Sequence, residues 1–336
     1  MNKLKNNIKE FIKDNLVPII IFLIILFLFR FPVNYYIIVG GGTLEADPRV
    51  KVKNEYKSKG SFNLSYVSEM KGTLATYLLS FPLKYDRESI EVSKASSKES
   101  VDDIEFRNNL WLNSTNDNAA YVAYTYAGKK VKIGKNKIYI FAKLDKSDTD
   151  LRVGDEIESI DGETGKTLDE YRKIINSKND GERLKLKVKH GDKEYERIAK
   201  ITTIKKQKYI GVELMESKDY EFDPEIEFKF KDSEGGPSGG LMTALEIYNE
   251  LTKKDITYGK NIAGTGTIDT YGTVGEIDGV KYKIRGAEEN KMDAFLVPSD
   301  RNYKEAIETK KKYKLKIKVI EVKNFNDALN KLKELG

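Results

Sequence analysis

The residues with the clearest chemical potential lie in Glu234-Gly-Gly-Pro-Ser238-Gly-Gly-Leu241, followed by Leu245, Tyr248 and Leu251 at helical spacing. This places Ser238 just before the first turn of an amphipathic helix. The open amides and positive end of that helix face whatever binds beside the serine, and the flanking glycines let the backbone approach a carbonyl closely. A nucleophilic hydroxyl with an oxyanion site built from the backbone around Gly236, Pro237 and Gly239 would need that arrangement. Taken alone, the run also fits a loop whose serine caps a helix, so its context must decide. The chain has no cysteine, which excludes thiolate chemistry, disulfides and Cys-rich zinc sites. Its one histidine, His190, ends an alternating Lys and apolar run before Gly191 and reads as a surface imidazole at a strand end. A Ser-His-Asp triad is therefore not expected, and the base should be a residue other than histidine.

The context is Ala263-Gly-Thr-Gly-Thr-Ile268, Gly272-Thr-Val-Gly-Glu-Ile-Asp-Gly-Val-Lys281-Tyr-Lys283, Gly286-Ala287 and Ala294-Phe-Leu-Val-Pro298. In this order and spacing the set resembles the Lon peptidase domain over roughly the last 130 residues. That resemblance implies Ser238 as nucleophile, Lys281 as general base and Thr265 as a hydroxyl supporting the lysine. Lys283, two residues on, is the solvated alternative. A lysine has an ordinary pKa near 10.4, so its use as a base requires burial. Gly235 stands where the family often has aspartate, and no Gly-x-x-x-x-Gly-Lys-Ser/Thr phosphate loop occurs, so no ATPase is expected.

The elements that must position this chemistry start with an apolar run from Leu16 to Phe29, bordered by Lys3, Lys5, Lys9 and Lys13 before it and by Arg30, Tyr35 and Tyr36 after it. The run approaches the ~20 residues that cross a bilayer, and the lysines predict a cytoplasmic N-terminus at 1–15. A single-pass anchor at 16–33 would then leave the catalytic part on the extracytoplasmic side of the cell membrane. Residues 34–121 read as a small α+β unit of short strands followed by a helix begun at Ser100-Val-Asp-Asp103, with a break near Asn116 to Asn118. Residues 122–203 contain Leu151-Arg-Val-Gly-Asp-Glu-Ile-Glu-Ser-Ile-Asp-Gly162, which resembles a PDZ domain. By that resemblance, Gly128, Lys129 and Lys130 would hold a peptide's terminal carboxylate. By the Lon resemblance, residues 204–336 are expected to form the Lon-type domain, ending in helix 303–311, strand 315–322 and helix 325–335.

The expected fold class is thus multidomain α+β: an N-terminal transmembrane helix, a PDZ-like β domain and a Lon-type α/β peptidase domain. The arrangement resembles the membrane-anchored Lon-like peptidases of the YlbL type. It implies an ATP-independent serine endopeptidase acting on exported or envelope proteins, with no cofactor or metal, and hexameric assembly by analogy with Lon rings. The alternatives are a non-catalytic membrane scaffold, and a peptidase held inactive until a partner displaces its PDZ-like unit. The 59 basic and 53 acidic residues are interspersed, so no nucleic-acid partner is expected.

Overall fold

The computed structural model describes residues 10–83, 85–89, 100–144, 147–231, 234 and 236–336. Lys3, Lys5, Lys9 and Gly235 lie outside the described residues. Helix α1 (Leu16–Arg30) is 15 residues long, about 22 Å at 1.5 Å per residue, against roughly 30 Å of bilayer hydrocarbon. No helix among the described residues is long and apolar enough to cross a membrane, which overturns both the transmembrane anchor at 16–33 and the extracytoplasmic placement derived from it. The missing length has a local cause. Pro32 has no amide hydrogen and disfavours helix at the residue before it, so Phe31 is extended and β1 (Pro32–Glu45) begins at once.

After β1 come a 3₁₀ turn at Asp47–Arg49, β2 (Val50–Val52), β3 (Ser61–Thr73), the short helix α2 (Leu74–Leu79) and β4 (Asp86–Ser89). Helix α3 (Val101–Tyr126) starts in a reciprocal capping box: Asp103 N–H donates to Ser100 Oγ, and Ser100 N–H to the Asp103 carboxylate, each at 3.1 Å. It runs unbroken through Asn116 to Asn118. Tertiary packing outweighs the weak helix propensity of those residues, since Asn116, Ala119, Ala120 and Ala123 are all buried.

The next stretch forms its own sheet of β5 (Lys130–Lys143), β6 (Glu156–Ile160), β7 (Arg183–His190), β8 (Lys193–Lys200) and β11 (Val212–Asp223), in the order β11-β5-β6-β7-β8. Helix α4 (Leu168–Ser177) packs on it, and β9 (Thr202–Ile204) and β10 (Gln207–Tyr209) make a small side ribbon. Alternation along β7 puts Leu184, Leu186 and Val188 inside and the lysines between them outside. The core closes over Ile140, Leu151, Ile160 and Tyr171.

The chain then returns through β12 (Ile226–Phe228), which pairs with β2, to α5 (Gly240–Leu251), β13 (Asn261–Gly264), β14 (Thr267–Ile268) and β15 (Val274–Gly275). Helix α6 (Val280–Glu289), β16 (Ala294–Pro298), α7 (Arg301–Tyr313), β17 (Lys318–Val322) and α8 (Phe325–Leu332) complete it. The principal sheet runs β17-β16-β13-β3-β1-β4, parallel from β17 to β3 and antiparallel beyond. Alternating residues fill its two faces: Ile262 and Leu296 pack with α3, α5 and α8, while Ala263, Phe295 and Val297 pack with α6 and α7. Residues expected to be separate units at 34–121 and 204–336 thus share one sheet. The unit between them is an insertion, and β11 belongs to it rather than to the last segment.

Candidate active site

Ser238 lies in a 3₁₀ turn, Pro237–Gly239, leading directly into α5. Gly236 precedes it at φ +114°, a conformation open to glycine and strained for other residues. The segment is held from below: Gly266 N–H donates to Ser238 O at 2.8 Å, Leu241 N–H donates to Gly266 O at 3.1 Å, and Thr265 N–H donates to Leu296 O at 3.0 Å. At Gly239 a Cβ would come within 2.5 Å of Leu64 Cδ2, so the turn sits hard against β3. Gly236 and Gly239 line the same cavity as Ser238. Pro237, named with them from the sequence, has no N–H and cannot donate to an oxyanion.

That cavity has a volume of about 590 Å³ and is bounded by Ser238, Leu64, Thr243, Asp278 and Lys283. One side is the edge of β3. Its pairing with β13 ends at Leu64, and the continuation Ser65, Tyr66 and Val67 borders the cavity, with the buried Ser65 Oγ lacking a hydrogen-bond partner.

The two lysines of α6 part company. Lys281, expected to be the base, has a half-exposed side chain paired with Asp86 Oδ2 at 3.1 Å and lying over the Tyr282 ring. Partial burial works to lower its pKa, but the hydrogen bonds and charges of Tyr282 and Asp86 outweigh it and hold the amine above its ordinary value. It is not among the residues lining the cavity. Lys283, the alternative read as solvated, is 4% exposed. Its Nζ donates to Thr265 Oγ1 at 3.1 Å, and Thr265 Oγ1 donates onward to Ser238 O at 3.0 Å. Burial pushes Lys283 down to about 8, against a weaker opposing pull from Asp278. Thr265, fully buried, thus contacts Lys283 rather than Lys281.

A sequence signal for this existed. Residues two apart on a helix project about 200° from each other, onto opposite faces. Lys283 falls on the buried stripe of Val280, Ile284 and Ala287, whereas Lys281 falls with Arg285 and Glu288. Reading the Val280–Glu289 segment by helical period rather than by motif position separates them.

His190 lies in the inserted unit, its Nδ1 2.9 Å from Asp155 Oδ1, and does not line the Ser238 cavity. Gly128, Lys129 and Lys130 form the turn from α3 into β5. The amides of Gly128 and Lys129 already donate to Thr125 O and Tyr124 O of α3, and Lys130 pairs with Asp223. Those two amides close the helix end and are not open to a peptide carboxylate.

Residues 230–334 match the family described as the Lon protease (S16) C-terminal proteolytic domain. The chain is similar to the Lon protease of Trichlorobacter lovleyi, 33% identical over 94 residues, which is 28% of this chain and 11% of that protein. It is also similar to the Lon protease of Desulfatibacillum aliphaticivorans, 30% identical over 96 residues, 29% of this chain and 11% of that one. The match thus spans about a tenth of those curated relatives. Among solved structures, the PDZ domain of an SdrC-like protein from Listeria monocytogenes is 32% identical, covering 25% of this chain and 92% of that chain at a TM-score of 0.22. Its counterpart from Listeria innocua is likewise 32% identical, covering 23% and 92% at a TM-score of 0.22. Residues 230–334, which carry Ser238 and Lys283, are thus similar to the Lon protease C-terminal proteolytic domain.

Proposed function

We propose that the protein is a serine endopeptidase that needs no ATP and uses Ser238 as nucleophile and Lys283 as general base. The observation that carries this reading is the burial of the Lys283 amine in the cavity wall it shares with Ser238, linked to the serine's backbone through Thr265. Neutral Lys283 takes the Ser238 Oγ proton as the oxygen attacks the substrate carbonyl. The resulting oxyanion is stabilised by backbone N–H groups of the turn around Ser238 and Gly239, at the positive end of α5. The ammonium then gives its proton to the leaving amine. Water, activated by the same lysine, hydrolyses the acyl-enzyme.

The edge of β3 from Ser65 to Val67 offers backbone groups to an extended chain, so the substrate would lie as an added strand across the serine. Such binding selects unfolded or flexible protein segments. A non-catalytic scaffold would explain the Lys281 ion pair with Asp86, but not the cost of burying a second lysine against Thr265.

The test is hydrolysis of casein by the full chain without nucleotide, beside Ser238→Ala, Lys283→Ala and Lys281→Ala. Loss of activity in the first two and retention in the third supports the assignment. Activity surviving in folded Lys283→Ala refutes it.

A further inference from the structure

Behind the nucleophile turn, on the second and third turns of α5, Glu246 and Glu250 project one above the other toward the 3₁₀ turn that begins at Asp47. One carboxylate oxygen from each of Asp47, Glu246 and Glu250 lies within 4.8 Å of the others. The two glutamates are 3% and 2% exposed. Glu250 Oε2 accepts from Val52 N–H at 2.7 Å, but its Oε1 is buried without a partner. The Glu246 carboxylate has no hydrogen-bond partner and no ion-pair partner among the described residues, although it is almost wholly enclosed.

The nearest cations lie at the mouth of the cluster, on Asp47, and neither forms an ion pair with Glu246 or Glu250. Lys51 Nζ sits 3.0 Å from Asp47 Oδ1 and 3.6 Å from Glu55, and Lys57 reaches the same two acids. Two buried carboxylates side by side with no cation of their own demand something to share their charge. Burial, reinforced by the neighbouring acids and only partly offset by Lys51 and, for Glu250, by the Val52 amide, pushes Glu246 up to about 8 and Glu250 to about 7.

We propose that Asp47, Glu246 and Glu250 form a divalent-cation site that takes Ca²⁺. The donors are all carboxylate oxygen, the set preferred by hard cations. Oxygens up to 4.8 Å apart can be bridged by Ca²⁺ at about 2.3 to 2.6 Å to each, whereas Mg²⁺ at about 2.0 to 2.1 Å would need the carboxylates drawn in. Asp47 is partly exposed, which gives the ion an entry path and room for water ligands.

The position gives the ion a role. It would join α5, whose first residues follow Ser238, to the turn containing Arg49. The Arg49 guanidinium in turn holds Glu234 with two hydrogen bonds, Nε to Oε2 at 2.8 Å and Nη2 to Oε1 at 2.5 Å, in the loop that leads to the serine. Both sides of the nucleophile turn would thus be tied to one ion, whether or not the serine is catalytic.

The experiment is calorimetric titration of the chelator-treated full chain with CaCl₂ at pH 8.5, with thermal unfolding followed in parallel. We expect one Ca²⁺ per chain, a rise in Tm of roughly 5 °C at saturation, weaker binding of Mg²⁺, and loss of both signals in Glu246→Gln and Glu250→Gln. Asp47→Asn, at the mouth, should weaken binding at least tenfold while leaving the buried pair intact. Absence of saturable Ca²⁺ binding by the wild type would overturn the proposal. So would an undiminished Tm rise in all three variants, or a wild type whose Tm responds to pH and to none of the cations, which would mean that protons satisfy the cluster.

Discussion

In the proposed mechanism Lys283 acts through a displaced protonation equilibrium. A lysine held near 8 is largely neutral only above that pH, so peptidase turnover should climb through about pH 8 and level off beyond it, a profile measurable with a fluorogenic casein. The same displacement acts on stability. The folded pKa lies below the ordinary value, so between about 8 and 10.5 the unfolded chain binds more protons and stability rises with pH. The penalty is complete below about 8, on the order of 3 kcal/mol. Lys283→Met should therefore be inactive yet melt higher than wild type at pH 7, with the gap closing as pH approaches 10.5. Thr265→Ala should keep the fold but lower turnover at least tenfold, because the buried amine loses its one hydrogen-bond partner among the described residues. Ser238 could be singled out only from the context of its run, since a Gly-Pro-Ser-Gly-Gly stretch before a helical period equally fits a capped loop. Motif position did not tell which lysine is buried, because the two in Lys281-Tyr-Lys283 look alike until the helix phase assigns one of them to the core.

Helix α6 can present Lys283 only because it lies against β1 closely enough that no side chain fits between. A Cβ on Gly286 would meet Gly41 C at 2.4 Å and Gly42 N at 2.5 Å, and one on Gly41 would meet Tyr282 O at 2.4 Å. These contacts are backbone and cannot swing aside. Gly286→Ala should thus lift α6 from the sheet, costing about 1 to 3 kcal/mol in a denaturant titration and reducing turnover more than Lys281→Ala does. At this scale the sequence was informative wherever periodicity was strong. Expected helix 303–311, strand 315–322 and helix 325–335 correspond to α7, β17 and α8 with shifted ends. It misled where composition suggested length, as in the apolar run that Pro32 stops after Arg30.

Taken whole, the molecule has a sheet whose strands come from both ends of the sequence, with a second sheet of independent core inserted between. This arrangement was illegible beforehand because strand order depends on contacts made across the insertion, on which local pattern is silent. Two sheets, one with a core on each face and one with a core of its own, predict two calorimetric transitions. Leu186→Ala should lower one by the 2 to 5 kcal/mol typical of such truncations, and Ile284→Ala should lower the other. A single transition shifted by both substitutions would show the cores to be coupled.

The parallel pairing of Ser61–Leu64 with Asn261–Gly264 also fixes an order of events in time. These partners are 200 positions apart, and joining such distant segments is slow when everything between them is loose. The insertion shortens that journey, because Lys130 and Asp223 end up side by side once its own strands have zipped. A chain still being synthesised can complete the insertion early, then expose Ser238 before β13 and α6 have emerged. The cavity wall that Lys283 shares with Ser238 therefore forms only after β13 and α6 have emerged and closed the sheet begun by β1 and β3.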